Sequence, residues 1–187
     1  MHTDQSFKDA LKYIAAAKTS KECIRRQKVH GIKGESILVS LPGFSWTRSL
    51  PHDFMHLMFE NIIPSMVKFW SGHFKGLDEG SGDYELPPKI WMIGEETAAA
   101  SSTIPTCFVS ALSNVAKDGG LFKAETWSFW YIYLMPHLLK GRLSERYYQH
   151  AILLVDIIKT CLQFSITTTE IDNLKEIIIQ WVEKYEQ

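Results

Sequence analysis

The segment that begins at Thr167 restricts the fold most, because it carries two helix signals at once. Thr167 and Glu170 have the spacing of a capping box, in which each side chain accepts a hydrogen bond from the other residue's backbone N–H. Apolar residues then recur with the period of an α-helix and form a single stripe: Ile171, Leu174, Ile177, Ile178, Trp181 and Tyr185. We therefore predict an amphipathic helix with one apolar side and one charged side.

Helical periodicity also occurs along much of the remaining chain. Phe7, Leu11 and Ile14 predict a first helix, and Thr19 with Glu22 predicts a second one that runs toward His30. Further helices are predicted over residues 53–70, 90–94, 126–139 and 144–164, with loops over 71–90 and 97–120.

Two features modify this helical pattern. Pro64 lies inside the predicted helix 53–70 and should kink it near Glu60, because proline removes a backbone hydrogen bond. Residues 36–40 and 44–47 are the only strand candidates, on either side of the turn signal Pro42-Gly43. The chain is therefore predicted to be mainly α, with one or two short strands.

Composition restricts the class of protein and the cellular compartment in which it works. A hydrophobic share of 45% is enough for a globular core, and the net charge of −1 gives no overall basic field. The three cysteines lie far apart, which favours a reducing compartment, and no apolar run reaches the ~18 residues of a membrane span. We expect an intracellular protein without a membrane partner.

Charge is unevenly distributed, and the N-terminal segment is basic. Its cations are candidates for contact with DNA phosphates, and the candidate residues are Lys21, Arg25, Arg26 and Lys28. A solvated helix face is the simpler interpretation of the same residues.

The sharpest group of polar residues lies at the start of the predicted helix 53–70. Asp53, His56 and Glu60 share one helical face, Lys68 continues the stripe, and the rest of the helix is almost wholly apolar. These carboxylates could hold Mg²⁺ or Mn²⁺ through oxygen, with the imidazole in support. Alternatively Asp53 caps the helix, His56 is a hydrogen-bonded core residue and Glu60 faces water.

A second chemical hypothesis uses the histidine before Asp53. His52 and His56 are spaced i, i+4, as in a zinc-binding histidine pair, and Asp53 stands where the HExxH metalloproteases have glutamate. A metal-dependent hydrolase built on His52, Asp53 and His56 therefore remains an alternative, although no second motif supplies a third ligand.

Several short segments are distributed over nearly the whole chain, at residues 31–38, 48–57, 74–80, 104–105, 124–130, 162–167 and 180–186. In this order they resemble the CACTA-type (En/Spm-like) transposases in the form common in fungal genomes. Such transposases are similar to other DDE enzymes, whose RNase H-like core holds two metal ions for phosphodiester transfer. The resemblance implies that Asp53-Phe54-Met55-His56 is the family's D-x-x-H motif, with Asp53 a catalytic metal ligand and His56 a supporting catalytic residue.

The resemblance also implies a domain organisation. Residues 1–35 would be a basic helical arm, residues 36–70 a partial RNase H-like core with the D-x-x-H helix, and residues 71–187 a helical insertion. The other two catalytic acids of the family are expected outside this chain, so we expect a truncated, internal fragment that is catalytically incomplete and binds Mg²⁺ or Mn²⁺ weakly.

The sequence thus predicts a transposase-derived protein related to DNA transposition. Its expected partners are transposon-end DNA, a second copy of itself or a sibling transposase, and its expected location is the nucleus. A non-enzymatic helical module of the same descent, which binds protein or DNA, is the first alternative, and the hydrolase is the second.

Overall fold

The computed structural model describes residues 3–49, 53–74, 82–86 and 89–186. The chain divides into two compact units, Met1–Asp53 and Phe54–Gln187, each with its own internal packing. The boundaries implied by the transposase resemblance, after residues 35 and 70, stay a prediction.

Two helices form most of the first unit. Helix α1 (Asp4–Ala15) begins at a capping box between Thr3 and Ser6. Helix α2 (Ser20–His30) begins at Thr19, whose side chain accepts a hydrogen bond from the backbone N–H of Glu22 at 3.2 Å. It ends at Gly31, whose φ of 66° is a left-handed conformation that glycine adopts without a Cβ clash. Both predicted N-terminal helices are confirmed.

The predicted strand over residues 36–40 is wrong, because Ile37–Ser40 forms a short 3₁₀ helix. Side chains close this turn: Ser36 Oγ accepts from the backbone N–H of Leu38, and Ser40 Oγ donates to the carbonyl of Ile37 at 2.7 Å. The candidate at 44–47 has no strand either, and strands are absent from all described ranges. Without a neighbouring strand to pair with, β-type residues do not form a ladder.

Within its described parts, all regular secondary structure of the second unit is helical, with turns and loops between the helices. A first π segment (His56–Ile62) leads into α3 (Ile63–Trp70), and a second π segment (Trp130–Leu134) lies between α6 and α7. The other helices are α4 (Lys89–Ala100), α5 (Val115–Asp118), α6 (Ala124–Phe129), α7 (Met135–Leu139), α8 (Glu145–Cys161) and α9 (Thr168–Tyr185). A 3₁₀ turn (Gly119–Leu121) follows α5. A mainly α chain is therefore confirmed, and α4 is longer than the helix predicted at 90–94.

Each π segment ends two residues before a proline. Pro64 is the second residue of α3 and Pro136 the second residue of α7. A proline inside an α-helix lacks an N–H donor, and its ring clashes with the carbonyl four residues earlier. The π turn, with hydrogen bonds from i to i+5, is wider than an α turn and lies where the proline interrupts the α pattern. The disturbance predicted near Glu60 thus takes the form of a π segment.

The core of the second unit is built on the aromatic helix segments between Ala124 and Leu139. Trp130 and Tyr131 have no exposed surface. The polar atoms of both side chains are hydrogen-bonded. Trp130 Nε1 donates to Thr97 Oγ1 at 3.0 Å, and the Tyr131 hydroxyl donates to the Ala151 carbonyl at 3.1 Å. Burial also raises the pKa of Tyr131 well above 10.

Helices α8 and α9 pack against each other at the C-terminal end of this unit. Thr167 and Glu170 form the predicted capping box, with a Thr167 N–H to Glu170 Oε2 distance of 2.7 Å. Of all the helices in the described parts of the chain, none is both long enough and apolar enough to cross a membrane.

Candidate functional site

Asp53 and His56, the two predicted catalytic residues, lie in different units. Asp53 is the last residue of the first unit and is exposed. His56 opens the first π segment of the second unit, where its Nε2 lies 3.4 Å from Glu60 Oε2. Both of these side chains are about half exposed, at 55% and 45%. The second unit therefore brings His56 and Glu60 together at its surface, as their spacing predicts.

The backbone around His56 is held by a side chain. Asn61 Nδ2 donates a hydrogen bond to the His56 carbonyl at 2.7 Å. In a π segment the i to i+5 pattern also pairs residue 56 with residue 61, so this bond reinforces the wide turn. His56 is thus positioned by Asn61, a residue that the sequence analysis did not single out.

The metal sites expected from the sequence have an incomplete set of ligands in the described residues. Nowhere in those ranges do three or more His, Cys, Asp or Glu side chains meet in a group that could hold a metal ion. Octahedral Mg²⁺ takes oxygen ligands from at least one or two carboxylates, substrate and water, and a DDE site needs three acids. The residues that are described do not fit a complete two-metal centre. His52, which the hydrolase hypothesis needs, lies outside the described residues.

Four basic residues of α2 were predicted to contact DNA, and three of them form one exposed row. Lys21, Arg25 and Lys28 are exposed and are spaced by four and three residues, which places them on one face of the helix. We call these three residues the basic row.

Arg26 differs from the basic row because its guanidinium is bound within the first unit. It forms an ion pair with Glu22 at 2.5 Å, donates to the carbonyl of Tyr13, and lies over the Tyr13 ring at 4.1 Å from the ring centre. The Arg26 side chain is only 13% exposed. Hydrogen bonds from the Lys18 N–H and then from Arg26 hold the pKa of Glu22 below its usual value. Arg26 therefore fastens α2 to α1.

A cleft of about 470 Å³ in the second unit brings further cations together. Its polar lining includes Lys68, His73 and Lys117, with Glu60 as the acid. Its apolar lining includes Trp91, Phe122 and Trp127. Lys68 was part of the predicted stripe, but Lys117 was missed, because it is distant in sequence and only the fold of α3 and α5 brings it near.

No protein family, no curated protein and no solved structure matches this chain.

Proposed function

We propose that the chain derives from a CACTA-type transposase and that its first unit contacts the phosphate backbone of DNA. The single observation that carries the DNA contact is the basic row on α2. The ordered series of transposase-like segments supports the descent, including an RNase H-like parent core around residues 36–70. Transposon-end DNA, in the nucleus, is the partner that this descent predicts.

The dimensions of the basic row suit a DNA strand. Lys21 and Lys28 are seven residues apart, which at a rise of 1.5 Å per residue is about 10 Å along the helix. One strand of DNA carries a phosphate every ~3.4 Å of helix axis, so the row is about as long as three of these intervals. Arg26 stabilises α2 against α1, so in the folded first unit these cations stand together on one helix face.

DNA binding is tested by fluorescence anisotropy with a labelled duplex at several salt concentrations. The variant K21Q/R25Q/K28Q should bind more weakly, and the slope of log K against log salt should become shallower by about 2.7, at ~0.9 per phosphate contact. The control K140Q/K159Q/K175Q removes the same charge from exposed positions of the second unit. Equal losses in the two triple variants would show that only net charge matters and would contradict the proposal.

Asp53 enters the proposal as one ligand of a Mg²⁺ or Mn²⁺ site that the parent transposase completes with further acids. By itself the chain should bind DNA without cleaving it. The expected Mn²⁺ affinity is no tighter than about millimolar, as for a site with few charged ligands. Water-proton relaxation with Mn²⁺ measures this, with Asp53→Asn as the variant and Asp9→Asn as the exposed control. Two results would contradict the proposal that the chain alone is catalytically incomplete. One is a micromolar Mn²⁺ site that Asp53→Asn abolishes, and the other is nicking of a plasmid by the chain alone.

A further inference from the structure

A second cavity of the second unit, of about 250 Å³, lies between α3, α8 and α9. Aromatic rings form most of its wall: Phe69, Trp70, Tyr84, Tyr147, His150 and Tyr185. We call it the ring pocket. It is distinct from the cleft beside Glu60, with which it shares no lining residue.

Four rings of the ring pocket pack edge to face. Phe69 lies at right angles to Tyr84, with centroids 6.3 Å apart, and to Tyr185, with centroids 6.2 Å apart. Tyr84 in turn meets Tyr147 at 5.8 Å and 78°. Such T-shaped pairs are a favoured arrangement of aromatic side chains. The wall is therefore built from mutually packed rings, and its shape does not depend on a ligand.

The charge at the ring pocket is positive. Lys184 is the one side chain with a full charge among the described residues that line it, and acids are missing from that lining. A second cation, Arg146, lies over the Tyr147 ring at 5.5 Å. An aromatic wall alone would suit a quaternary ammonium ion, but Lys184 and Arg146 would repel such a cation. The occupant that fits rings and cations together has an apolar ring and a negative group.

The size of the ring pocket suits an occupant with a single ring. A cavity of about 150 Å³ admits benzene, so 250 Å³ has room for a benzene ring with a short acidic substituent. We propose that the ring pocket binds a small aromatic carboxylate, whose ring packs against Phe69, Tyr84 and Tyr147 and whose carboxylate pairs with Lys184. This site is independent of the proposed DNA contact.

The test uses phenylacetate, its neutral analogue 2-phenylethanol, and benzyltrimethylammonium. Binding is followed on the full chain by NMR of ¹³C-methyl methionine, because Met66 lines the ring pocket and reports binding there. The Met66 signal is assigned with Met66→Leu, a volume-conserving change. Phenylacetate should shift this signal saturably and bind about tenfold more tightly than 2-phenylethanol, as expected for one charge-assisted contact.

Lys184→Gln should remove the advantage of phenylacetate over 2-phenylethanol. Lys175→Gln, at an exposed position of the same helix that does not line the ring pocket, should leave the advantage intact. Because both lysines are exposed, neither change threatens the fold. The proposal fails if the Met66 signal does not respond to phenylacetate, if Lys184→Gln has no effect, or if benzyltrimethylammonium binds more tightly.

Discussion

The hydrogen bond between Trp130 and Thr97 shows how single residues stabilise this core. Thr97 has no exposed surface, and its hydroxyl both donates to the Ile93 carbonyl at 2.8 Å and accepts the indole N–H of Trp130 at 3.0 Å. A buried indole N–H without an acceptor would lose its interaction with water and gain nothing in return. This one hydroxyl therefore satisfies the polar atom of Trp130, the largest fully buried side chain among the described residues.

Thr97→Val should lower the free energy of unfolding by about 1–3 kcal/mol, because it leaves Trp130 Nε1 without an acceptor in the core. Thr160→Val is the control, since Thr160, at a half-buried position, makes the same hydroxyl bond to the carbonyl four residues earlier but receives no indole donor. Urea unfolding of both variants measures the difference. An equal loss in the two variants would show that the indole bond contributes nothing.

His150 makes stability depend on pH. It is 8% exposed, its Nε2–H donates to the Trp181 carbonyl at 3.0 Å, and its ring stacks on Trp181 at 4.9 Å. Burial lowers the pKa of His150 below the ordinary 6.5, and nearby Lys184 lowers it further, against the opposing effect of the carbonyl. The unfolded chain then binds a proton at a higher pH than the folded chain does.

Neutral His150 should therefore make its full contribution to the free energy of unfolding above pH 6.5. This contribution should be lost as the pH drops through the lowered pKa of His150. His150→Gln should flatten the fall that begins just below pH 6.5, whereas His137→Gln, at an exposed position, should not. Urea unfolding at a series of pH values gives these slopes. A slope that persists in His150→Gln would assign the effect to other groups.

At the scale of elements, α4 and α5 meet at a glycine. A Cβ on Gly94 would lie 2.0 Å from Asn114 Oδ1. The same Asn114 oxygen caps α5, accepting from the N–H groups of Ala116 at 3.0 Å and Lys117 at 3.1 Å. The close approach of the two helices therefore needs a residue without a side chain at position 94.

Gly94→Ala should destabilise the fold by about 1–3 kcal/mol, because the clash outweighs the ~1 kcal/mol that alanine gains over glycine inside a helix. Gly120→Ala, where a Cβ meets nothing within 4 Å, is the control. Thermal unfolding of Gly94→Ala, Asn114→Ala and the double variant forms a cycle. Strict additivity in that cycle would show that the two residues do not collide.

The helices could be predicted from local signals, but their partners could not. Helix α9 has the predicted capping box, but only part of its predicted apolar stripe is covered in the fold. Leu174, Ile177 and Trp181 pack inward, whereas Ile171 and Ile178 are 50% and 40% exposed. Periodicity shows which residues share a face, but the part of that face that is covered depends on how α8 lies against it.

The same limit applies to the candidate sites. The proximity of His56 and Glu60 follows from their spacing, because it is local. The ion pair between Arg26 and Glu22 also follows from local i, i+4 spacing. The contact of Arg26 with Tyr13, by contrast, depends on how α1 packs against α2. The strand predicted at 36–40 failed for a related reason, since a strand is defined by a partner that the local sequence does not reveal.

At the scale of the whole molecule, the main core belongs to one unit. The buried hydrophobic cluster runs from Phe59 to Trp181, all within the second unit. The buried apolar residues of the first unit, in its described parts, are Ala10 and Ile14. The free energy of folding from apolar burial is therefore concentrated in the second unit.

A fragment of residues 54–187 should unfold cooperatively on its own, because it retains the whole buried cluster. Its thermal midpoint by circular dichroism should lie within a few degrees of the main transition of the full chain. Residues 1–53 alone should melt broadly or remain unfolded, given their small buried core. A non-cooperative fragment 54–187 would show that the first unit is required for the core to form.

The π segments before Pro64 and Pro136 have a consequence for how this chain can vary over generations. A π turn contains one residue more than the α-helical turn that it replaces. If one residue of the π turn were deleted and the proline were replaced by another residue, the segment would become a continuous α-helix. The side chains on both sides of the deletion would keep their directions. Elsewhere in a helix the same deletion would rotate every later side chain by about 100°. We therefore expect single-residue gaps in descendants of this gene to be tolerated at residues 56–62 and 130–134 before they are tolerated within α8 or α9.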